Sequence, residues 1–207
     1  MKNHLFPKIV IATRNMGKLR EFQTLLQPLQ SDLLSLRDLA IDEEIEESGN
    51  TFAENAQQKA IGYSRLTSFP VLADDSGLAV EALGGRPGIH SARYAGPEAS
   101  DSDRIRKLLE ELAGSGGNPN ARFVCALALA QNGGLLQESE GACSGIIIAE
   151  PRGTNGFGYD PIFLFPDLNK TFAELNETEK NQYSHRAQAV HCLLERFDVH
   201  PIVNRKS

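Results

Sequence analysis

KIVIATRNMGKLREFQTLLQPL, residues 8–29, is the stretch that decides the fold. Its opening run, KIVIAT, reads as a buried strand, and Leu19, Phe22, Leu25 and Leu26 then recur at helical spacing. Strand, short loop and helix in that order form the unit from which α/β proteins are assembled. The loop itself, Thr13-Arg14-Asn15-Met16-Gly17-Lys18, gathers hydroxyl, amide and ammonium groups at a helix N-terminus, a place suited to phosphate. It has neither the P-loop nor the Gly-x-Gly-x-x-Gly spacing, and a plain Asn-Met-Gly turn before a solvated lysine is the bland account of the same residues.

Outward from that unit, Thr51-Phe52-Ala53-Glu54 has the form of a capping box and opens a helix expected to reach about residue 65. VLADDSGLAV, residues 71–80, follows. Adjacent residues on a strand point to opposite faces, so the expectation is a strand over 71–73 that ends at Asp74 and Asp75 and turns through Ser76-Gly77. Two carboxylates at a strand end suit a hard cation such as Mg²⁺, and an Asx-capped acidic turn would use the same residues. Glu46 and Glu47 precede the capped helix and Lys59 lies two turns into it. Each is either a solvated surface charge or a partner of Asp75 and of phosphate.

The remaining chain alternates turn-rich and periodic stretches. Gly84 to Pro97 is a long connection rich in Gly and Pro, of the kind that carries sites. A helix over 101–112 leads to strands over 121–131 and 135–141 joined through Asn132-Gly133-Gly134, which predicts an antiparallel pair. Further strands over 144–150 and 162–165 and a last helix over 185–197 complete a mixed α/β sheet. Between them, Asn155-Gly156-Phe157-Gly158-Tyr159-Asp160-Pro161 pairs glycines with aromatics that stack on a planar ring or tuck into the core. Ser184-His185-Arg186 offers an N-cap with two exposed neighbours, or donors for the edge of a base.

Composition sets the outer limits. A chain of 207 residues suffices for one domain of two lobes. The net charge of −6, with basic residues scattered, argues against a nucleic-acid polymer held by its backbone. The three cysteines, Cys125, Cys143 and Cys192, share no ligand spacing and read as reduced thiols, Cys125 as core. The apolar run 9–12 is too short for a secretory segment and no stretch approaches a membrane span.

Five segments together resemble the Ham1-like or ITPase family of nucleoside-triphosphate pyrophosphatases: T-x-N-x-x-K at 13–18, EESGxTFxENAxxKA at 46–60, ADDSGLxVxxLxGxPGxxSARYAG at 73–96, GFGYDPIF at 156–163 and SHR at 184–186. The resemblance spans nearly the whole chain. It implies a single domain over 1–207 with an elongated mixed sheet flanked by helices, two lobes around a deep cleft, a homodimer and a cytoplasmic setting. The implied reaction is Mg²⁺-dependent cleavage of ITP, dITP and XTP to the monophosphate and pyrophosphate, with no membrane or nucleic-acid polymer as partner. By the same resemblance Thr13, Arg14, Asn15, Met16, Gly17, Lys18 and Lys59 hold the triphosphate. Glu46 and Asp75 bind Mg²⁺ beside Glu47 and Asp74, and Asp75 is the general base. Ser76, Phe157, Gly158, Tyr159, Asp160, Lys180, His185 and Arg186 complete the substrate pocket. A Maf-like pyrophosphatase is the competing enzyme, disfavoured by SHR and GFGYD. A nucleotide-binding module without chemistry is disfavoured by the intact acidic set.

Overall fold

The computed structural model describes residues 5–199. A seven-stranded mixed sheet runs in the order β2-β1-β3-β4-β5-β6-β7. The strands are β1 (Lys8–Ile11), β2 (Asp32–Ser35), β3 (Val71–Val80), β4 (Asn120–Gln131), β5 (Gly134–Ile147), β6 (Phe163–Phe165) and β7 (Lys170–Thr171). The helices are α1 (Met16–Leu25), α2 (Phe52–Ser64), α3 (Asp101–Ser115), α4 (Glu177–Tyr183) and α5 (His185–Glu195). The α/β fold class is that expected from residues 8–29.

The chain divides into two compact units, neither of them a continuous segment. The first comprises residues up to Asp75, Ala126–Gly141 and those from Ala187 onward. In it β1 pairs in parallel with both β2 and β3. Because parallel crossovers are right-handed, a chain that steps from β1 out to β2 and then back past β1 to β3 must place α1 and α2 on opposite faces. The alternation of β3 then decides what each helix meets. Val71 and Ala73 pack with Ala56, Ala60 and Tyr63 of α2, so Asp75 shares the α2 face. Asp74 points the other way, to Lys18 of α1.

The second unit comprises Ser76–Cys125 and Ala142–Arg186. Leu78, Val80, Leu108, Phe123, Ile162, Phe163 and Phe172 form its core. The Phe123, Phe163 and Phe172 rings pack at centroid separations of 4.6–5.7 Å, where edge and offset contacts add to simple burial.

Several expectations need correction. β3 does not stop at Ala73 but continues through Asp74, Asp75, Ser76 and Gly77 to Val80. Gly77 is a close-approach residue rather than a turn: a Cβ there would meet Ser91 Oγ and lie 2.5 Å from the Gly88 carbonyl oxygen. The two strands expected over 135–141 and 144–150 are one, β5, in which burial alternates residue by residue from Ser139 to Ile147, straight through Gly141. β2 and α4 were not anticipated. The first is only four residues long, and the second, ETEKNQY, has no apolar period and is fixed by an Asn176–Glu179 capping box. The box at α2 is half formed: Thr51 Oγ1 accepts from Glu54 N at 3.1 Å, while the Glu54 carboxylate takes the N–H of Asn50 instead.

Candidate functional site

In the first unit the phosphate-type loop leaves β1 and is set by its own side chains. Asn15 Oδ1 accepts from Gly17 N and Lys18 N at 2.8 and 3.1 Å, an N-cap contributing about 1 kcal/mol to α1. Thr13 Oγ1 accepts from Asn15 N at 3.2 Å. With the turn fixed, Lys18 emerges in the first turn of α1 and reaches the buried Asp74 carboxylate at 2.8 Å. Arg14 turns instead toward the acidic segment, donating to the carbonyls of Asp42 and Glu43 at 2.8 and 3.1 Å. Met16 is exposed.

Asp75 lies one residue on, 8 % exposed, with Asn55 Nδ2 donating to its Oδ2 at 3.0 Å. Burial is the strongest influence on this carboxyl and raises its pKa. Lys59, the Asn55 amide and Lys18 pull the other way, and Glu47 adds to the rise. Lys59 pairs with Glu47 at 3.2 Å. Burial alone would lower the Lys59 ammonium, but Asp74, Glu47 and Asp75 together outweigh it and hold its pKa above the ordinary value. Glu46 is exposed and Glu47 half-buried. Two ammonium groups and three carboxylates thus gather about Asp74 and Asp75 midway along β3, an arrangement that accommodates an incoming polyanion with a divalent cation. Among the described residues no three His, Cys, Asp or Glu side chains form a metal cage of their own.

In the second unit the glycine-rich loop is organised by one carboxylate. Asp160, 3 % exposed, accepts from Phe157 N at 2.9 Å and from the Lys180 ammonium at 2.6 Å, both at Oδ2. Gly156, at φ +74°, allows the loop to close on this oxygen, since a Cβ there would overlap it. The Lys180 ammonium stands 4.8 Å from the centroid of the Phe157 ring and the Arg186 guanidinium carbon 5.9 Å from it. Arg186 is 1 % exposed and donates from Nη2 to Ser76 Oγ at 3.0 Å. His185 is buried and stacks on Phe123 at 4.8 Å. Tyr159 is anchored by its hydroxyl, which donates to the Ser91 carbonyl at 3.0 Å, and Gly158 N donates to Asp101 Oδ2 at 2.7 Å. The structure therefore gathers Phe157, Asp160, Lys180, Arg186 and Ser76 around one loop.

Three residues with evident structural duties in these clusters had no role in the sequence reading: Asn55, Asp101 and Ser91. Asn55 had a signal, because it stands four residues before Lys59 on α2 and so shares its face. Asp101 and Ser91 had none, since Asp101 acts on Gly158 and the Ser91 carbonyl on Tyr159, both dozens of residues away.

The sequence profile of the Ham1 family matches residues 9–196. A Bacillus licheniformis protein named dITP/XTP pyrophosphatase is 50 % identical over 192 residues, covering 92 % of this chain and 98 % of the relative. Its Bacillus subtilis namesake is 48 % identical over 187 residues, covering 90 % and 94 %. Among solved structures, a HAM1 protein from Coxiella burnetii superposes with a TM-score of 0.84 at 44 % identity, covering 92 % of this chain and 98 % of that one. The Staphylococcus aureus Ham1 protein gives 0.82 at 40 %, with the same coverage. A profile matched over almost the full length, with relatives of equal extent and the same fold, leaves one conclusion: the chain belongs to the Ham1 family.

Proposed function

We propose that the protein hydrolyses non-canonical purine nucleoside triphosphates, dITP, ITP and XTP, to the nucleoside monophosphate and pyrophosphate. The observation that carries this reading is the cluster midway along β3: Asp75 buried beside Lys59, with Asp74 paired to Lys18. It is supported by relatives named dITP/XTP pyrophosphatase at about half identity.

In this mechanism Lys18 and Lys59 exchange their carboxylate partners for phosphate oxygens, assisted by the Thr13 to Lys18 loop, and so neutralise charge on the triphosphate. Asp75 accepts the proton of the attacking water, a task for which a carboxyl held above its usual pKa is suited. The donor set is all carboxylate oxygen, which fits Mg²⁺, and Asp75 with the Glu46–Glu47 segment would hold it together with phosphate oxygens and water. Held there, Mg²⁺ would supply positive charge against that developing on the phosphates. The bond broken joins the α-phosphorus to the bridging oxygen, which departs with pyrophosphate.

The base falls to the second constellation. Lys180 and Arg186 are buried cations that supply donors, and a 6-keto purine supplies an acceptor. Adenine presents an amino group there and leaves a buried donor unmatched, at a cost of about 1–3 kcal/mol per group. Phe157 offers a ring for stacking. The protein acts on free nucleotides, and among the described residues no helix is long and apolar enough to cross a membrane. A cytoplasmic homodimer follows by analogy with the family.

The test is pyrophosphate release from dITP, ITP, XTP, ATP, GTP and dTTP, each with Mg²⁺ and with EDTA. Mg²⁺-dependent release confined to the first three is the expected result. Cleavage of dTTP in preference, or of none, would overturn it.

A further inference from the structure

The acidic segment 42–50 has no regular secondary structure, so Glu46 and Glu47 are placed by whatever holds its backbone. Three side chains of α2 do so at its end. Ser48 N donates to Gln58 Oε1 at 2.9 Å, Gly49 N to Asn55 Oδ1 at 2.8 Å and Asn50 N to Glu54 Oε2 at 2.6 Å. Of these three acceptors only Asn55 is buried, at 1 % exposure, and it has a second duty: its Nδ2 donates to Asp75 Oδ2 at 3.0 Å. One amide therefore bonds the acidic segment with its oxygen and the β3 carboxylate with its nitrogen.

The two bonds lock each other. Flipping the amide would set its oxygen against the Asp75 carboxylate and its NH₂ against the Gly49 N–H, which are repulsive pairings on both sides. The segment comes this close because residue 49 is glycine: a Cβ would lie 2.7 Å from Asn55 Oδ1 and 2.6 Å from Glu54 Cβ. A carboxylate whose Oδ2 accepts from a locked amide is restrained in orientation, and with it the direction in which Oδ1 would face a cation.

We infer that Asn55 is a positioning residue that sets the Asp75 carboxylate and the Glu46–Glu47 segment in register for one divalent cation. This rests on the reading of those carboxylates as Mg²⁺ ligands. Asn55 itself touches neither phosphate nor metal in this role. It acts through the two groups it joins, as the outer hydrogen-bond partners of metal ligands do.

The test is calorimetric titration with α,β-methylene-ITP, whose α–β bond is not hydrolysed, in Mg²⁺ and in EDTA. Wild-type protein binds it more tightly in Mg²⁺. Asn55→Leu keeps the branching and heavy-atom count of the side chain and removes both hydrogen bonds. It is expected to lose about tenfold of the Mg²⁺-dependent gain while its affinity in EDTA stays within about twofold of wild type. A residue that merely supports the fold would lower both affinities together, and that result overturns the role. So does an Asn55→Leu protein that keeps the full Mg²⁺ gain. A wild-type protein without any Mg²⁺ gain overturns the metal reading itself, and the role of Asn55 with it. Should the leucine variant not fold, Gly49→Ala reaches the same latch from the loop side with Asn55 intact, and the same selective loss is expected.

Discussion

At the scale of single residues, the proposed chemistry turns on a carboxyl kept where its charge is unwelcome. Burial raises the pKa of Asp75 despite Lys59, Asn55 and Lys18, so its ionised form gains no stability from the fold. Asp75→Asn should therefore abolish pyrophosphate release without lowering the melting temperature, because it removes a buried charge and keeps the side-chain shape. A variant with near-normal turnover would remove Asp75 from the reaction. Tyr94 and Glu111 show the opposite coupling at the surface. The Tyr94 hydroxyl donates to Glu111 Oε2 at 2.6 Å; burial and this bond push the phenol up to about 12, and the same bond draws Glu111 below its usual range. The signs follow by linkage. The tyrosine contribution to stability is present below pH 10.0 and lost as pH rises through about 12. The glutamate contribution is present above pH 4.5 and lost as pH falls through its lowered pKa. In Glu111→Gln the Tyr94 Cζ resonance should titrate at lower pH than in wild type, yet above 10.0, because burial persists. An unchanged midpoint would show that the bond does not hold the phenol.

At the scale of elements, β1, α1, α2, α3 and the β4–β5 hairpin were legible because each carries a local signal. These signals are an apolar run, a helical period, Thr51 as N-cap, and Asn132-Gly133 at φ +52° and +78° between two strands. β3 was misread because Asp-Asp-Ser-Gly is turn chemistry in isolation. What keeps it extended is tertiary: Leu78 N donates to Ser91 Oγ at 2.9 Å, a partner thirteen residues away that no local pattern reveals. Gly77→Ala puts a methyl against Ser91 Oγ and the Gly88 carbonyl, and main chain yields less readily than a flexible side-chain tip. The expected cost is about 1–3 kcal/mol, read from urea unfolding, and it should fall on stability before it falls on metal affinity. A variant as stable as wild type would show that the strand relaxes around the methyl.

At the scale of the whole molecule, the first unit draws on three separate stretches of chain and the second on two; the cluster around Asp75 lies within the first stretch but is spread from Lys18 to Asp75, and the second joins Ser76 to residues 157–186. Composition and charge placed the chain among ordinary globular proteins. The joint role of residues as distant as Asp75 and Lys59, or Phe157 and Arg186, came from resemblance across five segments rather than from spacing. The three cysteines illustrate what only folding decides. All are free thiols; Cys125 and Cys143 are buried, the latter raised to about 12 by burial and by Asp167, whereas Cys192 on α5 is exposed. Thiolate reactivity follows access and pKa, so Ellman's reagent should count one fast thiol in the native protein and three in guanidinium. A maleimide would accordingly place a single fluorophore or surface tether on an exposed position of α5, six residues beyond Arg186 on the same helix, and the native protein comes ready for oriented immobilisation without an engineered handle.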